Sequence, residues 1–96
     1  MPDAKGSVNG SKSNHKIILY ALSTCVWCKK TRRMLEQSDV TFDYVYVDLL
    51  TGQEREDAMA QVHKWNSAAS FPTIVIDNAE SVAGYKPARL EEVLGL

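Results

Sequence analysis

The chain has 96 residues, enough for one domain with a single small core. Its 11 Lys and Arg against 12 Asp and Glu leave a formal charge of −1, which argues against a general nucleic-acid binder. No apolar run approaches the ~20 residues that span a bilayer, and the polar opening MPDAKGSVNGSKSNH lacks the apolar stretch of a secretory signal. A soluble protein in a reducing, cytoplasmic setting is therefore expected. There, a close cysteine pair suits catalysis or metal binding better than a structural bridge.

Residues 1–14 are rich in Gly, Ser, Asn and Lys and contain almost nothing to bury, so a disordered tail is expected there. Residues 15–96 hold the domain, with order from Lys16. KIILYAL reads as a strand buried on both faces. Ser23 or Thr24 then offers an N-cap oxygen, and a helix follows to about Ser38 with Val26, Trp27, Met34 and Leu35 near its apolar stripe. FDYVYVD, residues 42–48, alternates as a second strand. Residues 53–66 are expected as a helix with Ala58, Met59, Val62 and Trp65 on its buried face. PTIVID is a third strand, Asp77 to Glu80 is turn chemistry, and SVAG returns antiparallel. Pro87 opens a last helix that buries Leu90, Val93 and Leu94. The order β-α-β-α-β-β-α implies a four-stranded mixed sheet with helices on both faces. Strands separated by helices are expected to run parallel.

Both cysteines, Cys25 and Cys28, fall where the first strand gives way to the first helix. The first turn of a helix has free N–H groups and the positive end of the dipole, and both stabilise an anion. A free thiol ionises near pH ~8.5, so only a few per cent is thiolate at neutral pH without such help. The spacing supplies the second half of the chemistry. Cys25 at the helix start can attack a substrate disulfide, and Cys28 nearly one turn on can resolve the mixed disulfide. Trp27 stands ready to cover the site or contact a partner. In SFPT, a cis bond before Pro72 would turn the Phe71 backbone toward the thiols, where its N–H and C=O can hold an extended substrate.

The stretches C25-V-W-C28, F71-P72-T73 and A83-G84-Y85-K86-P87 resemble glutaredoxin-like members of the thioredoxin superfamily, over about residues 16–96. The resemblance implies the thioredoxin fold, an α/β architecture of four strands flanked by three helices. It also implies a dithiol–disulfide oxidoreductase with Cys25 as nucleophile, Cys28 as resolving thiol and a cis Pro72. Phe71, Pro72, Thr73, Gly84 and Tyr85, with Trp27, would form the substrate groove. No cofactor is implied beyond a redox-active Cys25–Cys28 disulfide. Glutathione-binding members usually carry a basic residue just before the first cysteine and a Gly-Gly-x-Asp turn before the last helix. Here Leu22, Ser23 and Thr24 precede Cys25, and the turn is Gly84-Tyr85-Lys86-Pro87. That turn is more similar to NrdH-type redoxins, donors to ribonucleotide reductase that thioredoxin reductase reduces. The partners implied are protein disulfides and a reductant drawn from glutathione, another small thiol or thioredoxin reductase. No nucleic acid or membrane is implied, and a monomer is expected.

CxxC is also half of a zinc site, but the remaining candidate ligands are His15 in the expected tail and His63 alone on a helix. No metal site within one chain is expected. An iron–sulfur cluster held between two chains by Cys25 thiolates is the alternative reading. A structural bridge between residues three apart would constrain the unfolded chain only weakly. The residue after Cys28 is Lys29, so the C-x-x-C-H haem pattern is absent.

Overall fold

The computed structural model describes residues 3–96. Its centre is β2 (Ile17–Ala21), whose side chains alternate between two cores. Ile17, Leu19 and Ala21 enter one core, with Phe42, Ile74, Ile76, Leu35, Leu90 and Leu94. Tyr20 and the half-buried Ile18 enter the other, with Val62, Val75 and Ala58. A strand whose every residue meets a core must be apolar throughout, which is why KIILYAL shows no alternation.

Around β2 are β1 (Lys5–Val8), α1 (Val26–Gln37), β3 (Phe42–Tyr46), a 3₁₀ turn (Val47–Leu49) and α2 (Gly52–Trp65). β4 (Thr73–Ile76), β5 (Glu80–Ala83) and α3 (Pro87–Leu94) complete the chain. The sheet order is β1-β3-β2-β4-β5. β2 runs parallel to β3 and antiparallel to β4, and β1 and β5 are antiparallel edges. α1 and α3 supply Leu35, Leu90 and Leu94 to one face, and α2 supplies Ala58 and Val62 to the other.

Two expectations about the sheet are corrected. Among the described residues it has five strands, because residues 5–8 of the expected tail pair with β3 from Lys5 opposite Val45 to Val8 opposite Phe42. Residues 1 and 2 of that tail lie outside the described residues. The arm is held by groups that hydropathy does not register. Ser7 Oγ donates to Asp43 at 2.6 Å, Lys5 pairs with Glu54 at 2.8 Å, and the Thr41 N–H donates to the Lys12 carbonyl at 2.8 Å. The second correction concerns β3 and β4, which the intervening helix was expected to make parallel. Ala21 lies opposite Tyr46, and Tyr20 lies opposite Thr73, so β4 starts at the end of the sheet where β3 stops. α2 and residues 66–72 therefore pass over β2 as an antiparallel return rather than a parallel crossover.

The α1 stripe also differs. Cys28, Thr31 and Leu35 are its buried residues, while Val26 and Trp27 are 61% and 54% exposed. Small Cys and Thr side chains make the close contact with the sheet, and Thr31 satisfies its hydroxyl on the Trp27 carbonyl at 2.9 Å. β3 ends at Tyr46 rather than Asp48, because the chain tightens into the 3₁₀ turn. The β4–β5 loop, Asp77 to Ala79, places Asp77 and Asn78 at φ of 55 and 51, the left-handed pair of a tight turn that the Ala79 N–H closes on the Ile76 carbonyl at 3.1 Å.

A Cβ added at Gly10, after β1, would collide with the backbone of Asp39 and Val40, whereas at Gly6 it meets only the end of the Tyr44 side chain. Gly10→Ala is therefore expected to lower stability by about 1–3 kcal/mol, with a smaller loss for Gly6→Ala. Urea unfolding of both variants checks this, and equal stabilities would mean that the arm does not pack as described.

Candidate active site

β2 ends at Ala21, and the chain turns through Leu22–Cys25, closed by the Cys25 N–H on the Leu22 carbonyl at 3.2 Å. Cys25 is itself the N-cap of α1, with extended backbone at φ −87 and ψ 118. The expected caps, Ser23 and Thr24, are not used. The Cys25 Sγ takes the place of a capping oxygen and accepts the Cys28 N–H at 3.2 Å. Its backbone carbonyl accepts the first helical bond, from Lys29 at 3.1 Å. One of the orphan donors of the helix start is thus aimed at sulfur.

Cys28 is 2% exposed and packs in the core beneath the half-buried Cys25. Both are free thiols. Burial pushes the Cys28 thiol up to about 12, helped by its hydrogen bond with Cys25 and by the nearby Cys25 and Asp48 charges, against one lowering contact from the Leu22 backbone. The pair is therefore unequal by construction: one sulfur is reachable and capped by an amide, the other is dry and holds its proton.

Five of the six expected substrate contacts meet. Trp27, Phe71, Pro72, Gly84 and Tyr85 line a cleft of about 270 Å³. The Phe71–Pro72 peptide is cis, and the Pro72 carbonyl accepts the Gly84 N–H at 2.8 Å, joining the loop before β4 to the end of β5. Among the described residues, nothing pairs with the Phe71 N–H or C=O. Gly84 has φ 83, a left-handed conformation that a side chain would strain. Trp27 and Tyr85 stack at 5.8 Å with 28° between planes, and Lys30 Nζ lies 4.6 Å from the Trp27 ring centre. Thr73 is not in the cleft. It is fully buried, donates to the Ser70 carbonyl at 2.8 Å and accepts from Asn66 at 3.1 Å, so it fixes the loop from behind.

Sequence reading missed Asp48. It follows β3, and its carboxylate accepts both the N–H of Ser23 at 2.8 Å and the Ser23 hydroxyl. Desolvation is the largest single influence and pushes this carboxyl up, but the two Ser23 hydrogen bonds, its own backbone N–H and Arg55 together hold it below the usual range. Asp48 thereby pins the turn that presents Cys25. No sequence signal marks this, because the two residues meet only through the β2–β3 pairing. Among the described residues, no group of three or more His, Cys, Asp or Glu is gathered as metal ligands, and no helix is long and apolar enough to cross a membrane.

A strand-to-helix thiol pair facing a loop with a cis proline defines a thioredoxin-like redox site. The glutaredoxin family profile matches residues 17–80, and the chain belongs to the glutaredoxin family. It is similar to the glutaredoxin of Methanosarcina mazei Go1, with 45% identity, a TM-score of 0.93, and coverage of 98% of this chain and 90% of that one. Methanosarcina acetivorans methanoredoxin is 41% identical with a TM-score of 0.91, over 97% of this chain and 98% of that one. Glutaredoxin 1 of Rickettsia prowazekii is 33% identical over 67% of this chain, and the match spans 64% of that protein's length.

A buried thiol at about 12 has a sign for stability. The folded state holds this proton more tightly than the unfolded chain does. Its contribution is thus complete below pH ~8.5 and is lost as pH rises toward the folded value. In the reduced protein, the Cys28 ¹³Cβ resonance is expected to show no ionisation step below pH ~10. A step at Cys28 near the free-thiol value would contradict its burial.

Proposed function

We propose that the protein is a dithiol–disulfide oxidoreductase that passes electrons to protein disulfides. The observation that carries this is the Cys28 N–H directed at Cys25 Sγ, with the Cys28 thiol buried directly behind. The Cys25 thiolate attacks a substrate disulfide. A bond forms between Cys25 and one substrate sulfur, and the other substrate sulfur leaves as a thiolate and takes up a proton. Attack by Cys28 on Cys25 Sγ then closes the Cys25–Cys28 disulfide and releases the second substrate sulfur. Two electrons have moved from protein to substrate, with one proton given up by Cys28 and the other drawn from solvent.

The environment of Cys28 supports this order. Two of the influences that hold its proton, the hydrogen bond and the charge of Cys25, are removed once Cys25 is tied up as a mixed disulfide. Burial remains, so the resolving thiol loses its proton more easily at the stage where it must attack and keeps it before. The unpaired Phe71 N–H and C=O suit an extended substrate added as a strand, with an apolar side chain between Trp27 and Tyr85.

The cleft beside the thiols carries no charged lining residue. Glutathione presents two carboxylates, whereas the lining of the cleft is uncharged and Lys30 reaches only its Trp27 edge. Together with the Gly84-Tyr85-Lys86-Pro87 turn, this supports an NrdH-type carrier reduced by thioredoxin reductase or by a small thiol other than glutathione. Ribonucleotide reductase is then a candidate acceptor, and a reducing cytoplasm the fitting compartment.

Cys25→Ser is expected to abolish disulfide reduction, and Cys28→Ser to accumulate mixed disulfides visible by mass spectrometry without reductant. Full activity in both variants would overturn the mechanism. Offered side by side, thioredoxin reductase with NADPH is expected to reduce the oxidised protein faster than glutathione. A faster glutathione arm would refute the assignment of reductant.

A further inference from the structure

The apolar cleft adjoins a second one that the reaction does not use, and Tyr85 lines both. Beyond it, a channel of about 430 Å³ runs between α1 and α3, with Lys30, Arg33 and Met34 on one side and Tyr85 and Glu91 on the other. α1 carries Lys29, Lys30, Arg32 and Arg33 against a single acidic residue, Glu36, although the whole chain has a charge of −1. Of these cations, among the described residues, only Arg32 is committed to a hydrogen bond or an ion pair. It donates to Tyr46 at 2.8 Å, pairs with Glu36 at 3.8 Å and covers the Tyr44 ring at 4.4 Å. Lys29, Lys30 and Arg33 form no ion pair among the described residues, and Glu91 reaches no cation across the channel.

We propose that the redox partner is a protein whose disulfide is followed in space by an apolar residue and then by carboxylates, and that these carboxylates lie in the α1–α3 channel against Lys30 and Arg33. This rests on the disulfide-reducing reading above. A substrate strand leaving the cleft past Tyr85 meets the channel next, since Tyr85 lines both. Lys30 is already held over the Trp27 ring, so part of the entropy of fixing a lysine is met before binding. Met34 on the channel side offers an adaptable apolar surface for the stems of acidic side chains. The long-range part of the same field accelerates encounter with an acidic partner and slows a basic one.

The test uses three synthetic peptides with the same internal disulfide and apolar neighbour, flanked by Asp and Glu, by Ser, or by Lys. Each is mixed with pre-reduced protein, and single-turnover oxidation of the dithiol is followed beside that of 2-hydroxyethyl disulfide. At low salt the acidic peptide is expected to react about tenfold faster than the Ser peptide, and the Lys peptide slower still. The advantage is expected to shrink toward unity at ~0.5 M NaCl, where screening is nearly complete. Each protein is normalised to its own rate with 2-hydroxyethyl disulfide, and on that scale Arg33→Glu is expected to erase or reverse the order. Equal rates for the three peptides, or an acidic preference untouched by salt and by Arg33→Glu, overturn the proposal while leaving the redox reading intact. If none of the four disulfides oxidises the protein, the redox reading itself fails and this proposal with it.

Discussion

The site depends on one hydrogen bond, from the Cys28 amide to the Cys25 sulfur. A helix start leaves donors without partners, and most helices satisfy them with an oxygen from Ser, Thr, Asp or Asn. Here the capping atom is the reacting atom. Spacing and function are therefore one constraint: the N-cap side chain reaches the third residue after it, and that residue is the second thiol. The capped turn places Cys28 on the inward stripe with Thr31 and Leu35.

The sheet supplies what this arrangement cannot provide for itself. β2, β3 and β4 all reach the same end, so three connections converge: the Leu22–Cys25 turn, the 3₁₀ turn with Asp48, and the loop ending at Phe71–Pro72. Asp48 ties the first to the second through Ser23, and the Pro72 carbonyl ties the third to Gly84. Each tie joins residues distant in sequence but neighbouring across the sheet. The cleft is in this sense a product of strand pairing, and the aromatic pair Trp27 and Tyr85 closes its outer side.

Much of this was legible in the chain. The apolar run of β2, the thiol pair after it, the Pro87 helix start and the hairpin turn at Asp77 and Asn78 all act locally, so residue type and spacing reveal them. The failures share a different cause. The β1 arm contributes little apolar surface and is held by backbone pairing and polar contacts such as Ser7 with Asp43, which no hydropathy pattern reports. Val26 and Trp27 fall near the apolar stripe in sequence, but Cys28, Thr31 and Leu35 take the inward positions and leave them exposed. Thr73 adjoins the groove residues in sequence yet is buried behind them, hydrogen-bonded to the Ser70 carbonyl and to Asn66. The antiparallel return to β4 and the bracing by Asp48 are long-range facts that a single sequence does not display.

The central claim is the inequality of the two thiols, one exposed at a helix cap and one buried beneath it. Its most direct test is brief exposure of the reduced protein to iodoacetamide at neutral pH, followed by mapping of the modified residues by mass spectrometry. The account expects one carbamidomethyl group per chain, on Cys25, with Cys28 unmodified until the protein is unfolded. Modification of Cys28 first, or of both at the same rate, would contradict it.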